Sequence, residues 1–464
     1  MVHGRVSRSP ASEAPITPGA DMSAPTAAPP QDNLLASPRE RKKVLTGTLV
    51  GTTIEMYDFL IYAQAAGLVL APLFLEPVSE ESPVLARIIA WASIGISFLF
   101  RPLGAIVGGH VGDRYGRKMV LVFSLLGMGL ATMLIGVLPT YATAGAIAPV
   151  LLITLRICQG IFAGSEWGGA ALMSVEHAPK EKRGLYGSFP QLGVPLGLFL
   201  ATSASLSVLY FTGKDAYLEW GWRLVFLFSI VLVFVGYLIR RSVDESPVFQ
   251  AMKEDSAERT APLPDLFRNH WKPVIKAIFI FAGNNACGYM VIAFFPSYAI
   301  KTLDMDQGNI MRATLVAAVA WTIFTLWSGI LSDRFGRVQV FIVGFILQAA
   351  WILALWPLIE AKDIWMYTIA VVVLTFPLAL TYGPTSSLFA EMFPAGVRFS
   401  GASIGYAIGA IVGGAFAPMI AEILVDGTGK VWTIGIYLAA MTVPAVISLA
   451  LLPRNLHERN LNHA

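Results

Sequence analysis

Apolar runs long enough to cross a bilayer recur along this 464-residue chain. Counted as stretches of about 17 to 25 residues, twelve are centred near residues 57, 100, 129, 160, 195, 231, 285, 321, 348, 376, 411 and 442. Inside hydrocarbon every backbone N–H and C=O must be satisfied within its own segment, so runs of this length commit the chain to helices. Composition agrees: 55% of residues are hydrophobic and only 14% charged, with a mean hydropathy of +0.64. A chain this apolar has too little polar surface to cover a water-exposed globule. The expected fold is an all-α integral membrane protein of twelve transmembrane helices.

Net charge is only +3, and no soluble face gathers the Lys and Arg that a nucleic-acid binder needs. What matters is where the basic residues fall. RERKK at 39–43, DRYGRK at 113–118, KEKR at 180–183, DRFGR at 333–337 and Arg398 share one side of the expected membrane. The intervening EPVSEESP at 76–83 and PTYATAGA at 139–146 are acidic or uncharged. The positive-inside rule makes the basic side cytoplasmic, and an even helix number puts both termini there. Residues 1–43, rich in Ala, Pro and Ser at their start, lack a continuous apolar h-region and are expected to form a disordered cytoplasmic tail. Cys158 and Cys287 sit in apolar runs with no disulfide, zinc or redox spacing and are expected to be packing residues.

A longer connection of mixed charge at 241–272 divides the chain, giving expected six-helix bundles over 44–240 and 273–453 and a cytoplasmic tail over 454–464. The two sets repeat motifs. GDRYGRK begins at Gly112 and SDRFGR at Ser332, so Asp113 and Asp333 are 220 positions apart. In VEHAPKEKRG and AEMFPAGVRFSG, Glu176 and Arg183 match Glu391 and Arg398, each at an offset of 215. Two unrelated motifs at nearly one offset argue for internal duplication. The repeat is imperfect, with Ser332 in place of Gly112 and Val338 in place of Lys118.

Gly109, Asp113, Arg114, Gly116, Arg117 and Lys118 in GGHVGDRYGRK resemble the loop signature of the major facilitator superfamily, and Arg156, Gln159 and Gly160 in LRICQGIFAG its fourth-helix motif. IEMYDFLIY, GSEWGGAALMSVEHAPKEKRGLYGSFPQLG and AEMFPAGVRFSGASIGY are similar to its metabolite:proton symporter branch, which includes transporters of shikimate, 2-oxoglutarate, citrate, proline and betaine. The resemblance covers roughly residues 44 to 453. It implies two pseudo-symmetric halves around a central cavity, a bacterial plasma or inner membrane location, and proton-coupled import of a small organic acid or zwitterion. It also implies that the loop charges help hold the outward-facing state.

Several charges fall inside the apolar runs, where each costs at least a few kcal/mol and therefore faces protein or an aqueous cavity. Gly51, Glu55, Asp58 and Tyr62 are spaced four, three and four apart, along one stripe of a helix. Arg101 lies twelve residues before Asp113, roughly 18 Å from that helix end. Arg156, with Gln159 one turn on and Glu166 beyond, is embedded in the fourth run. One arrangement of these groups is a structural Arg–carboxylate lock. The other assigns Asp58, Glu55 or Glu166 to the coupled proton and Arg101, Arg156 and Gln159 to an anionic substrate, so that a carboxylate's protonation depends on whether substrate occupies the arginine. The seventh run offers neutral Asn284, Asn285 and Tyr289, and the tenth Tyr382, as substrate contacts.

Asp113, Arg117, Glu176, Arg183, Asp333, Arg337, Glu391 and Arg398 lie at cytoplasmic helix ends and read as gates. Gly401, Gly405, Gly409 and Gly413 make a smooth stripe for close helix approach. DESPVF at 244–249 reads as structural. No P-loop lysine motif, metal-ligand spacing or nucleophile–base arrangement stands out, so neither a cofactor, a metal nor an enzymatic reaction is expected. A membrane receptor would need a soluble signalling domain. Within transport the alternatives are a facilitative carrier or a drug:proton antiporter, of whose glycine-proline motif GVPLG at 193–197 is a loose echo. The expected partners are protons, lipid and a small carboxylate or zwitterion, with the chain acting as a monomer.

Overall fold

The computed structural model describes residues 1, 3, 4, 38–75, 80–115, 117–241, 262–394 and 397–453. Each expected apolar run is helical. We number the helices α1 (Pro38–Ala65), α2 (Pro83–Tyr115), α3 (Arg117–Val137), α4 (Ile147–Glu176), α5 (Lys180–Thr212) and α6 (Lys214–Leu238), then α7 (Trp271–Lys301), α8 (Gln307–Phe335), α9 (Arg337–Ala354), α10 (Ile364–Met392), α11 (Arg398–Thr428) and α12 (Trp432–Ala450). Eleven have the length and hydropathy of a membrane span, and Val122–Val137 within α3 is a shorter apolar helix. No strand occurs among the described residues.

The described residues between 38 and 453 form one compact unit. The packing of the first six helices is repeated by the last six. α1 packs on α5 and α6 as α7 does on α11 and α12, α2 packs on α4 as α8 does on α10, and α3 packs on α4 and α6 as α9 does on α10 and α12. The two sets meet where α2 lies against α11 and α5 against α8. Placement follows composition: 83% of the apolar window of α7 and 61% of that of α1 is buried by protein, against 33% for α9. Outward positions carry large apolar side chains such as Phe123, Leu130, Ile346 and Val443. Exposed apolar surface on that scale matches lipid as the outer solvent.

Small residues set the closest approaches, because helices in lipid gain from van der Waals packing rather than from expelling water. A Cβ at Gly409 or Gly413 would strike the backbone of Ile278 or Ala282 in α7, so the glycine stripe of α11 seats α7. A Cβ at Gly160 or Gly164 in α4 would strike the carbonyls of Ser97 or Arg101 in α2. That contact sets the two helices bearing the buried arginines against each other. The hydrogen-bond ladder of α7 loosens to a π-turn at Met290–Phe294, just ahead of Pro296. π-turns of this kind recur at functional sites.

Candidate functional site

All four stripe positions of α1 (Gly51, Glu55, Asp58 and Tyr62) are buried. Asp58, 1% exposed, accepts a short hydrogen bond at Oδ1 from the Ser229 hydroxyl of α6. Its Oδ2 has no hydrogen-bond partner. Thr132 of α3 neighbours the same carboxylate, its hydroxyl donating to the Met128 carbonyl at 2.9 Å. The Tyr57 hydroxyl, beside Asp58, donates to the Val225 carbonyl at 2.7 Å and fixes the register of α1 on α6. Tyr62 and Ser93 of α2 share a 2.5 Å hydrogen bond. Glu166 is buried in α4, 3.5 Å from the Ser124 hydroxyl, which donates to it.

The two arginines rest on aromatic faces. Arg156, wholly buried, donates at 2.6 Å to the Gln159 side-chain oxygen and at 3.4 Å to the Ser93 carbonyl. Its guanidinium lies 3.8 Å from the Tyr62 ring centre and 4.9 Å from that of Phe59, while Nη2 has no partner. Gln159 passes the contact on, donating to Thr132 Oγ1 at 2.7 Å. Arg101 lies 4.3 Å from the Phe98 ring centre and 4.7 Å from Phe59. Cation–π contacts of this kind offset part of the desolvation of a buried guanidinium. The described contacts of Arg156 are to an amide, a carbonyl and two aromatic rings.

Facing this charged side, α7 and α10 present neutral groups. Asn284 donates to the Leu378 carbonyl at 3.1 Å and to Thr381 Oγ1 at 2.7 Å. Asn285 donates to the Ala410 carbonyl at 3.3 Å. Between the two sides lies a cavity bordered by Arg101, Asn284, Asn285, Tyr289, Tyr382 and Tyr406. Its volume of about 30 Å³ holds water but no metabolite, so a substrate enters only when helices part. Arg101, Asn284, Asn285, Tyr289 and Tyr382, five of the residues expected to contact substrate, all border this cavity. Arg156 and Gln159, expected with them, and Glu55, Asp58 and Glu166, expected to carry the proton, are buried but are not among the residues that border it.

Other contributors went unnoticed in the sequence. Trp167 stacks on Tyr406 with ring centres 3.6 Å apart, and its indole N–H donates to Gln191 at 3.4 Å. Gln191 in turn donates to the Tyr382 carbonyl at 3.4 Å. Phe59, Phe98, Thr132 and Ser229 look like ordinary constituents of apolar runs. Only the position of Phe59, directly after Asp58, is a signal.

At the basic-loop end, the Asp333 carboxylate of α8 accepts from the backbone N–H groups of Gly184 and Leu185 at 2.7 and 2.9 Å. These are the first turn of the helical segment Arg183–Gln191, so the carboxylate caps a helix end on the opposite set. Asp333 also pairs with Arg337 at 3.1 Å, and Arg337 with Glu391 at 3.1 Å. Glu176 and Arg398 approach to 3.8 Å, and Ser387 donates to the Arg183 carbonyl at 2.6 Å. Each of these last two contacts joins the first six helices to the last six. Asp113 and Arg117 lie on helical backbone, but their side chains are outside the described residues. At the opposite end the Arg87 guanidinium of α2 meets Glu422 of α11 at 2.7 Å, a tie the sequence gave no reason to expect. Among the described residues no group of three His, Cys, Asp or Glu side chains could hold a metal ion.

Comparison with known proteins places this geometry. Residues 59–411 and 310–463 match the family model described as Major Facilitator Superfamily. The chain is 37% identical over 425 residues to the inner membrane metabolite transport protein YhjE of Escherichia coli (strain K12), spanning 90% of this chain and 95% of that protein. It is 35% identical over 415 residues to the shikimate transporter of the same organism, spanning 89% and 94%. Among solved structures, the crystal structure of a D-xylose-proton symporter superposes with a TM-score of 0.71 at 18% identity, covering 90% of this chain and 99% of that one.

Proposed function

Because the chain belongs to the major facilitator superfamily and is a multi-pass membrane transporter of metabolites, we propose that it is a proton-coupled symporter importing a small organic acid or zwitterion by alternating access. One observation carries this reading. Asp58 Oδ2 and Arg156 Nη2 are both buried and both lack a hydrogen-bond partner. A buried charge with an unused valence is costly. A proton answers that cost at the carboxylate, and an anion answers it at the guanidinium side, where Arg101 borders the cavity. The kinship to a shikimate transporter supports a carboxylate as the anion.

In this scheme Asp58 carries the proton, with Glu55 and Glu166 as the other candidates. Arg101, Asn284, Asn285, Tyr289 and Tyr382 contact substrate, while Arg156 and Gln159 support them. The basic-loop end is cytoplasmic with both termini. The bundles over 44–240 and 273–453 rock about the site as a monomer, and the Asp333, Arg337, Glu391, Glu176 and Arg398 contacts, with Asp113, Arg117 and Arg183, break when the cytoplasmic side opens. The test is uptake of radiolabelled shikimate, 2-oxoglutarate and betaine into everted-free, right-side-out vesicles under an imposed inward proton gradient. Accumulation abolished by protonophore and indifferent to sodium is expected. Sodium-dependent accumulation that survives protonophore overturns the reading.

A further inference from the structure

The anion site and the proton site lie apart, and one phenyl ring stands between them. Phe59 follows Asp58 on α1, so its side chain projects about 100° around the helix from the carboxylate. It is 1% exposed and contacts Arg101 from α2 and Arg156 from α4, with guanidinium-to-ring distances of 4.7 and 4.9 Å. Its edge contacts to Phe98 and Tyr289, at 5.2 and 6.2 Å between ring centres, hold it from both sides of the cavity. From Arg156 the chain of contacts continues through Gln159 at 2.6 Å to Thr132 at 2.7 Å. Every link from Arg101 to Thr132 is therefore a direct contact, Thr132 neighbours Asp58, and only one link is an apolar ring. The two guanidiniums are like charges close enough to act on each other. A ring shared by both fixes their separation, so an anion that draws Arg101 forward alters the seating of Arg156.

We infer that Phe59 is the positioning residue that couples the anion site at Arg101 to the proton site at Asp58, acting through Arg156, Gln159 and Thr132. The inference rests on the symport reading and deepens it. The charged and titratable groups around Asp58 are Glu55 and Tyr57 on its own helix and Arg156 of α4 by way of Gln159. Around it α3 contributes the Thr132 hydroxyl and α6 the Ser229 hydroxyl. Changing Phe59 removes none of these groups and acts on them only through the seating of Arg156.

The test needs no knowledge of the substrate, because Arg101→Gln neutralises the anion site as a bound anion would. In the full-length protein in nanodiscs, the protonated-carboxyl infrared band that Asp58→Asn removes is titrated with pH. Arg101→Gln should change the proton affinity of Asp58 by at least roughly fivefold, the lower end of an ordinary coupling. In a Phe59→Leu background the same substitution should change it less than about twofold, with Phe59→Tyr restoring the full effect. Should Phe59→Leu fold poorly, Thr132→Val cuts the far end of the same chain with a near-isosteric change and should abolish the effect equally. An effect of Arg101→Gln that persists undiminished in both backgrounds means the charges act directly through space, and overturns the role of Phe59. Reduced yield with intact coupling in Phe59→Leu assigns the ring to packing alone and overturns it too. Absence of any titrating Asp58 band overturns both the inference and the symport reading, whereas protonophore-resistant uptake counts against symport only.

Discussion

Helices α1 and α7 hold equivalent places, each packed on the fifth and sixth helix of its own set, but they bury opposite chemistry. α1 carries Glu55 and Asp58 into the interior, and its neighbours α2 and α4 add Arg101 and Arg156. α7 offers Asn284, Asn285 and Tyr289, with Thr381 and Tyr382 behind them on α10. The two sets share this packing because small residues and apolar volume dictate it. The side chains facing inward differ between the sets, although Tyr62, Tyr289 and Tyr382 among them also pack in the core. Under the proposed symport reading the difference sorts two roles: groups that change charge on one side, and groups that recognise shape and hydrogen bonds on the other. Neutral amides cost far less to desolvate than charges when helices part. That suits α7, whose ladder loosens to a π-turn at Met290–Phe294, although α1 runs into a π-turn of its own at Ala66–Leu70.

The largest expected effect is at Asp58. Asp58→Asn keeps size and the Ser229 contact while removing the titrating group, so uphill accumulation should fall to background while counterflow exchange persists, since exchange needs no proton release. Retained accumulation in a normally expressed variant would assign the proton to Glu55 or Glu166 instead. Next comes Arg101→Lys, which keeps the charge but loses the planar stack on Phe98 and Phe59. It should raise KM roughly tenfold, as expected for a stacked arginine, with the pH dependence of uptake little changed. An unchanged KM would remove Arg101 from the substrate site.

On the gating contacts, Asp333→Asn removes the charge that caps the Gly184 and Leu185 amides and pairs with Arg337. Transport should slow several-fold, with substrate affinity within a few fold, because the contact lies at a helix end. Asp113→Asn, its counterpart, is expected to behave alike. If either lost binding at a normal rate of interconversion, the two loops would not be gates. On the neutral side, Thr381→Val strips Asn284 of one acceptor and should cost about 1 kcal/mol in stability, read as a lowered Tm with coupling intact. The smallest effect belongs to Arg87→Gln. Its pair with Glu422 is partly exposed, at 21% and 16%, and such pairs contribute about 0 to 1 kcal/mol. The expected outcome is a less than twofold change in uptake rate, and a large one would make this contact a true outer gate.

Hydropathy alone gave the twelve helices, because each must satisfy its own backbone in lipid and so declares itself locally. The repeated loop motifs gave the duplication, and the stripe of Gly51, Glu55, Asp58 and Tyr62 gave an inward face, since charge in an apolar run has few places to go. Local pattern could not say which carboxylate meets which arginine. Asp58 turned to Ser229, Arg156 to Gln159 and the Tyr62 ring, and Asp333 to backbone amides on α5. Those partners are hydroxyls, rings and N–H groups that every helix carries, and nothing in their own sequence marks them.

What the sequence by itself determined is therefore the set of helices, their repetition and the presence of costly buried charge. Each of these follows from periodicity and composition along a single segment. Only the tertiary structure decided that both arginines sit on Phe59, and that the charged side and the neutral side meet at a narrow cavity. That decision belongs to the close approaches of α2 on α4 and of α7 on α11, which bring together groups remote in the chain. Contact between remote groups is a property of packing, and no window of sequence contains it.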